Sequence, residues 1–133
     1  RRIMPPRILI SACLLGRRRR VPAGMWSCLA GFVEAAENIE DAVRREVMEE
    51  SGIRCDNVQY YMTQPWPYPS SLMIGCRAVA HDPALTLDET EIEAAMWVDR
   101  AEVRAALAGD MGAPFMAPPP MAIARYLLED WAK

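Results

Sequence analysis

Three carboxylates within one turn and a half of a single segment are the first chemically suggestive feature of this chain. Glu37 to Ser51 reads as its clearest helix, closed by Gly52 as a C-terminal stop, and carries Glu46, Glu49 and Glu50 near that end. A charged helix is ordinarily a solvated face laced with i,i+4 pairs. Phase argues otherwise here. At roughly 100° per residue, with Ile39 at zero, Ala42, Val43 and Val47 define the apolar stripe. Glu46 and Glu50 both fall within about 20° of its centre, and Met48 lies on the opposite side. Burying two carboxylates without compensation is strongly unfavourable. Arg45 is a candidate partner, but it is displaced by about 100° from Glu46. A divalent cation is the better one, because it brings two charges and prefers oxygen ligands. Mg²⁺ in particular binds through a few carboxylates while keeping several waters. Glu49 flanks the same face and can join them.

The surrounding elements must position this edge. Ile8–Leu15 reads as strand, Val21–Gly24 as a turn, and Trp26–Val33 as a short strand ending in a glycine-containing loop. Val58–Met62 and Leu72–Ala80 are strand candidates, with Pro65, Pro67 and Pro69 breaking the chain between them. Glu91–Ala95 reads as a short turn or helix, Met96–Val98 as strand, and Asp99–Leu107 as helix. Pro118–Pro120 stiffens the approach to a last helix, Met121–Trp131. Short strands mixed with a few helices predict a layered α/β or α+β domain. Ser11–Ala12 separates two apolar clusters without any turn residue, so a break or deletion is expected there.

Composition narrows the class. The 133 residues suffice for one domain, 1–133, and not for two separate cores. Apolar residues make up 52% and charged residues 25%, a globular balance rather than a disordered one. No apolar run is long enough to span a membrane. A net charge of −3 argues against general nucleic-acid binding. The four cysteines, Cys13, Cys28, Cys55 and Cys76, form no C-x-x-C pair, so no zinc site is expected and reduced thiols in a cytoplasmic protein are. His81, before Asp82–Pro83, reads as a turn residue without a catalytic role. Arg17–Arg20 reads as a solvated strand end rather than a phosphate site. The chain begins at Arg1, which suggests a processed chain or a piece of a longer one.

Gly31, Glu37 and Arg45-Glu46-Val47-Met48-Glu49-Glu50-Ser51-Gly52-Ile53 match G-x5-E-x7-R-E-U-x-E-E-x-G-U at every fixed position. The chain thus resembles the Nudix hydrolases. A second stretch, Gln64-Pro65-Trp66-Pro67-Tyr68-Pro69-Ser70-Ser71, resembles the S-Q-P-W-P-F-P-x-S signature of the NADH pyrophosphatase subfamily, with Thr63 for Ser and Tyr68 for Phe. Alone it would read as a rigid proline-rich crossover. The tail around Pro118–Pro120 and Ile123–Arg125 is similar to that subfamily as well.

The resemblance implies an α/β/α sandwich with a mixed β-sheet and a loop–helix–loop catalytic motif. It implies cleavage of the pyrophosphate of NADH or NAD⁺ to nicotinamide mononucleotide and AMP, with Mg²⁺ or Mn²⁺; NAD-capped RNA contains the same bond. It makes Glu46, Glu49, Glu50, Glu91 and the Ala30 carbonyl metal ligands, with Glu50 also the base toward water. Arg45 orients a box glutamate and Glu37 braces the loop. It also implies that Phe32 stacks on a base, that Gln64, Pro65, Trp66, Pro67, Tyr68, Pro69, Ser70 and Ser71 line the dinucleotide pocket, and that the Ala124 backbone lies near the nucleotide. Competing readings of Phe32 as core and of Glu91 as an exposed helix-start acid stand beside these. A homodimer is expected. The upstream domain and four-cysteine zinc ribbon usual in the subfamily are not in this sequence, nor is the aromatic residue that would precede Arg1 and stack opposite Phe32. Other functions compete: a Nudix hydrolase for ADP-ribose, a dinucleoside polyphosphate or a damaged nucleotide, and a nucleotide-binding module without catalysis.

Overall fold

The computed structural model describes residues 12–18, 24–66, 71–90 and 92–133. Seven elements follow one another: β1 (Ala12–Arg17), α1 (Ile39–Ser51), β2 (Cys55–Trp66), β3 (Ser71–Ala80), β4 (Ala94–Asp99), α2 (Arg100–Leu107) and α3 (Ile123–Trp131). β1 pairs antiparallel with β4, placing Leu15 opposite Met96 and Cys13 opposite Val98. β2 and β3 form a long antiparallel hairpin, with register shifts near Asp56/Gln59 and Tyr60/Met62. The expected α+β class is the one observed. Among the described residues the strand pairs are antiparallel, and parallel pairing is confined to a bridge between Met25 and Met116.

Leu15, Val98, Val103, Ala106, Phe115, Leu128, Trp131 and Ala132 form the core beside the β1–β4 pair. α2 contributes through Val103 and Ala106, and Asp99 starts it with a reciprocal capping box to Glu102. α1 lies on β2, and α3 packs on both strands of the hairpin. Gly75 of β3 makes that last contact close: a Cβ there would lie 3.1 Å from Ile123 Cδ1 and 3.3 Å from Leu127 Cδ1. Arg100 and Arg104 of α2 donate to the carbonyls of Trp131 and Ala132, satisfying the C-terminal end of α3.

Several boundaries differ from the sequence reading. β2 continues through Pro65 to Trp66 rather than stopping before the prolines. Pro65 sits next to the end of the hairpin, opposite Leu72, where a missing N–H is tolerated. Segment 26–33 is not a strand. It is tied to β1 by one bridge, in which Gly16 and Ser27 exchange backbone hydrogen bonds of 2.9 and 3.1 Å. Ala94 and Ala95, expected in a turn or helix, begin β4 because they pair with Arg17 and Gly16. The expected break at Ser11–Ala12 and most of the turn at 21–24 lie outside the described residues. The four cysteines are free thiols. Burial pushes the Cys13 thiol up to about 12 and the Cys28 thiol up to about 11.

Candidate active site

α1 begins at Ile39 because Asn38 caps it, its side chain accepting from the Asp41 amide at 2.8 Å. It ends at Gly52, whose φ of +72° suits the left-handed C-terminal cap and whose N–H donates to the Met48 carbonyl at 2.9 Å. Glu50 is 4% exposed, on the face its helical phase predicts, and Met48, on the opposite face, is exposed. Glu46 is only half-buried and Glu49 is more open.

Arg45, read as displaced by about 100° from Glu46 and as the residue that orients a box glutamate, does reach the box carboxylates. Guanidinium reach exceeds the angular offset, and Nη1 donates to Glu46 Oε1 at 2.8 Å and to Glu49 Oε2 at 3.2 Å. The other edge of the same group forms a fork on Glu37, with Nε to Oε2 at 2.7 Å and Nη2 to Oε1 at 2.9 Å. Nη2 also donates to the Phe32 carbonyl at 2.8 Å. Arg45 therefore ties the 31–37 loop to the carboxylate face of the helix. Its hydrogen bonds hold the Glu37 carboxyl down at about 2.

Gly31 lets that loop come in. A Cβ at this position would lie 2.1 Å from Glu46 Oε2, so the carboxylate rests directly against the Gly31 backbone. The loop carries one strained residue, Ala36, with φ of +64°. A left-handed alanine costs about 1–2 kcal/mol, partly offset in a glycine variant by chain entropy. Ala36→Gly is expected to raise stability by about 0.5–1 kcal/mol, seen as a rise in Tm of about 2–4 °C in thermal unfolding.

Arg18, expected at a solvated strand end, instead reaches the site. Its Nη2 donates to the Ala30 carbonyl at 2.6 Å and to Glu50 Oε1 at 3.3 Å. Two oxygens from different segments thus converge on one cationic atom. Both are oxygens, the donor type a hard divalent cation takes. Among the described residues, no three His, Cys, Asp or Glu side chains gather closely enough to hold an ion by themselves. Glu91 lies outside the described residues.

Beside Ala30 opens a cavity of about 270 Å³ whose walls include Arg18, Cys28, Ala30, Pro118, Pro119 and Ala124. Ala30 and Ala124, 94 positions apart in the chain, therefore face one space. Phe32 is 85% exposed beside the loop and is not a core residue. Gln64 does not point freely into a pocket: its amide bonds to the backbone at Met121 and Ile123. Pro65 is exposed at the strand end, and Trp66 and Ser71 pair there across the hairpin. Pro67, Tyr68, Pro69 and Ser70 lie outside the described residues. His81 follows β3 in a bend, hydrogen-bonded to Asp56, which also meets Arg44 at 3.5 Å. The His81 hydrogen bond first, and Arg44 after it, hold the Asp56 carboxyl below its ordinary value.

Sequence reasoning missed Arg18 and the structural engagement of Gln64. The run of arginines from Arg17 signalled charge, but not that Arg18 reaches the helix.

The NUDIX domain profile matches residues 9–117. The human protein "NAD-capped RNA hydrolase NUDT12" is 52% identical over 121 residues, 91% of this chain and 26% of that protein. Human "NAD(P)H pyrophosphatase NUDT13, mitochondrial" is 39% identical over 132 residues, 91% of this chain and 38% of that protein. The chain thus spans between about a quarter and two fifths of the length of these relatives. Among solved structures, a NUDIX-family hydrolase from Clostridium perfringens superposes with a TM-score of 0.65 at 16% identity, covering 92% of this chain and 90% of that one, a likeness of fold.

Proposed function

The chain belongs to the NUDIX domain family, and from that membership we propose that it is a pyrophosphohydrolase that cleaves NADH or NAD⁺ to nicotinamide mononucleotide and AMP. The observation that carries this reading is the convergence of the Ala30 carbonyl and the buried Glu50 carboxylate on a single cationic atom at the edge of the cavity shared with Ala124. The likeness to NUDT12, an NAD-capped RNA hydrolase by name, and to NUDT13, an NAD(P)H pyrophosphatase by name, supports the substrate class. NAD-capped RNA, with the same bond, is included as a larger substrate, and the reading extends to a homodimer.

Nudix hydrolases generally use divalent ions such as Mg²⁺ or Mn²⁺. Glu46, Glu49, Glu50 and the Ala30 carbonyl would hold such an ion here, with Glu91 as a further acid. When bound, it supplies charge neutralisation for the pyrophosphate and lowers the pKa of water. The rest falls to the chain. Arg45 fixes Glu46 and Glu49 while anchoring the loop that carries Ala30 and Phe32. Glu50, held in a water-poor position, takes the proton as the oxygen of water bonds to one phosphorus. The anhydride P–O bond then breaks, and the other phosphate leaves with the bridging oxygen. The exposed face of Phe32 offers a rigid surface for a base, and the cavity at Ala30 and Ala124 takes part of the nucleotide.

Incubation with NADH and Mg²⁺, followed by chromatography of the products, tests the reading. Equimolar AMP and reduced nicotinamide mononucleotide are expected. Cleavage of ADP-ribose or a dinucleoside polyphosphate, with NADH left intact, would move the chain to another Nudix substrate class. Binding of dinucleotide without hydrolysis of any of these would make it a binding module.

A further inference from the structure

α3 starts without a cap of its own. Its N-cap residue is Ala122, which makes no side-chain hydrogen bond to the first turn. A helix N-terminus leaves several backbone N–H groups without intrahelical acceptors. The Ile123 N–H finds its acceptor 59 residues away, in Gln64 Oε1 at 3.0 Å. The same amide group donates from Nε2 to the Met121 carbonyl at 2.6 Å. One side chain on β2 thus holds both the last turn before the helix and its first residue.

What is held matters. Ala122 and Ala124, on either side of Ile123, line the cavity that Ala30 also lines. Ile123 itself is buried and lies against Gly75. The Ala124 carbonyl accepts a 3.9 Å contact from the Cys28 thiol, which lines the same cavity. With both hydrogen-bonding ends of its amide committed to this backbone, Gln64 has a different task from direct contact with a nucleotide.

We infer that Gln64 is a positioning residue: it acts as a remote N-cap for α3 and so sets the Ala122–Ala124 wall of the cavity for the dinucleotide. The inference deepens the proposed function and rests on its assignment of that cavity. Gln64→Met keeps the length and removes both hydrogen bonds. Gln64→Glu loses the donor to the Met121 carbonyl, but keeps an acceptor for the Ile123 N–H and places negative charge at a helix N-terminus, where it is favourable. A direct contact with an anionic dinucleotide ranks these variants the other way, because a carboxylate repels the substrate and a thioether does not.

Hydrogen exchange of the substrate-free protein comes first. The Ile123 amide is expected to exchange at least about tenfold faster in Gln64→Met, with Val103 still protected as a check on the core, and to stay protected in Gln64→Glu. Kinetics with NADH then separate the roles: KM is expected to rise about tenfold in the Met variant, with a smaller change in kcat and a smaller rise in KM for the Glu variant. Unchanged Ile123 protection in the Met variant, a wild-type KM in it, or a Glu variant with KM equal to or above it overturns the inference. The exchange result needs no substrate, so failure of the wild-type protein to cleave NADH would overturn the proposed function and leave the cap measured on its own.

Discussion

Glu50→Gln is expected to lower kcat for NADH at least about 100-fold while the protein stays folded. Glutamine has nearly the same shape, so the packing around this 4%-exposed position is preserved. What disappears is the negative charge, and with it the anionic oxygen that the proposed ion would take and the one carboxylate that α1 buries. An amide cannot take a proton from water at neutral pH. The Arg18 guanidinium, 3.3 Å away, would face a neutral group and lose most of its attraction to it. Titration with Mn²⁺ should show weaker binding in the variant alongside the kinetic loss, and circular dichroism should show unchanged helix content. Unchanged turnover would remove Glu50 from the mechanism whatever the metal affinity.

The reasons Glu50 could be singled out beforehand also show where a sequence stops being informative. Helical phase is a local property, fixed by the 3.6-residue repeat, and it placed Glu50 under the helix and Met48 outside it. Phase treats side chains as points on a wheel, however. It therefore undervalued Arg45, whose long guanidinium crosses the wheel to Glu46 and at the same time reaches back to Glu37 and Phe32. Contacts between distant segments carry no periodic signal at all. The approach of Arg18 to Glu50 spans 32 positions and that of Gln64 to Ile123 spans 59. Each depends on how a strand end meets a helix. Pro65 illustrates the converse error: proline is a strong local stop, but near the end of a strand pair a strand can run through it without losing a needed hydrogen bond. The Gly31 spacing to the helix was legible as a motif, while its steric meaning needed the Glu46 side chain in place.

That steric meaning yields the second large effect. Gly31→Ala is expected to reduce kcat about 100-fold and to change stability by no more than about 1 kcal/mol. The added Cβ would fall 2.1 Å from Glu46 Oε2, 2.2 Å from Cδ and 2.6 Å from Cγ, so the carboxylate must leave its place. The obstacle is a flexible side chain, 24% exposed, and Glu46 is not among the buried core residues. Folding therefore tolerates the change. Activity does not, because Glu46 would lose both its seat against the loop and its 2.8 Å hydrogen bond from Arg45. Displacing a catalytic group by about 1 Å is enough to cost roughly 100-fold in rate. Arg45→Ala provides the contrast: it releases Glu37, Glu46, Glu49 and the Phe32 carbonyl together, so it should lower Tm as well as kcat. Thermal melts and steady-state kinetics on the two variants separate loss of a carboxylate's position from loss of the loop that carries it. A Gly31→Ala enzyme with wild-type kcat would mean that Glu46 works equally well from a second rotamer, and that contact with the Gly31 backbone is packing rather than placement.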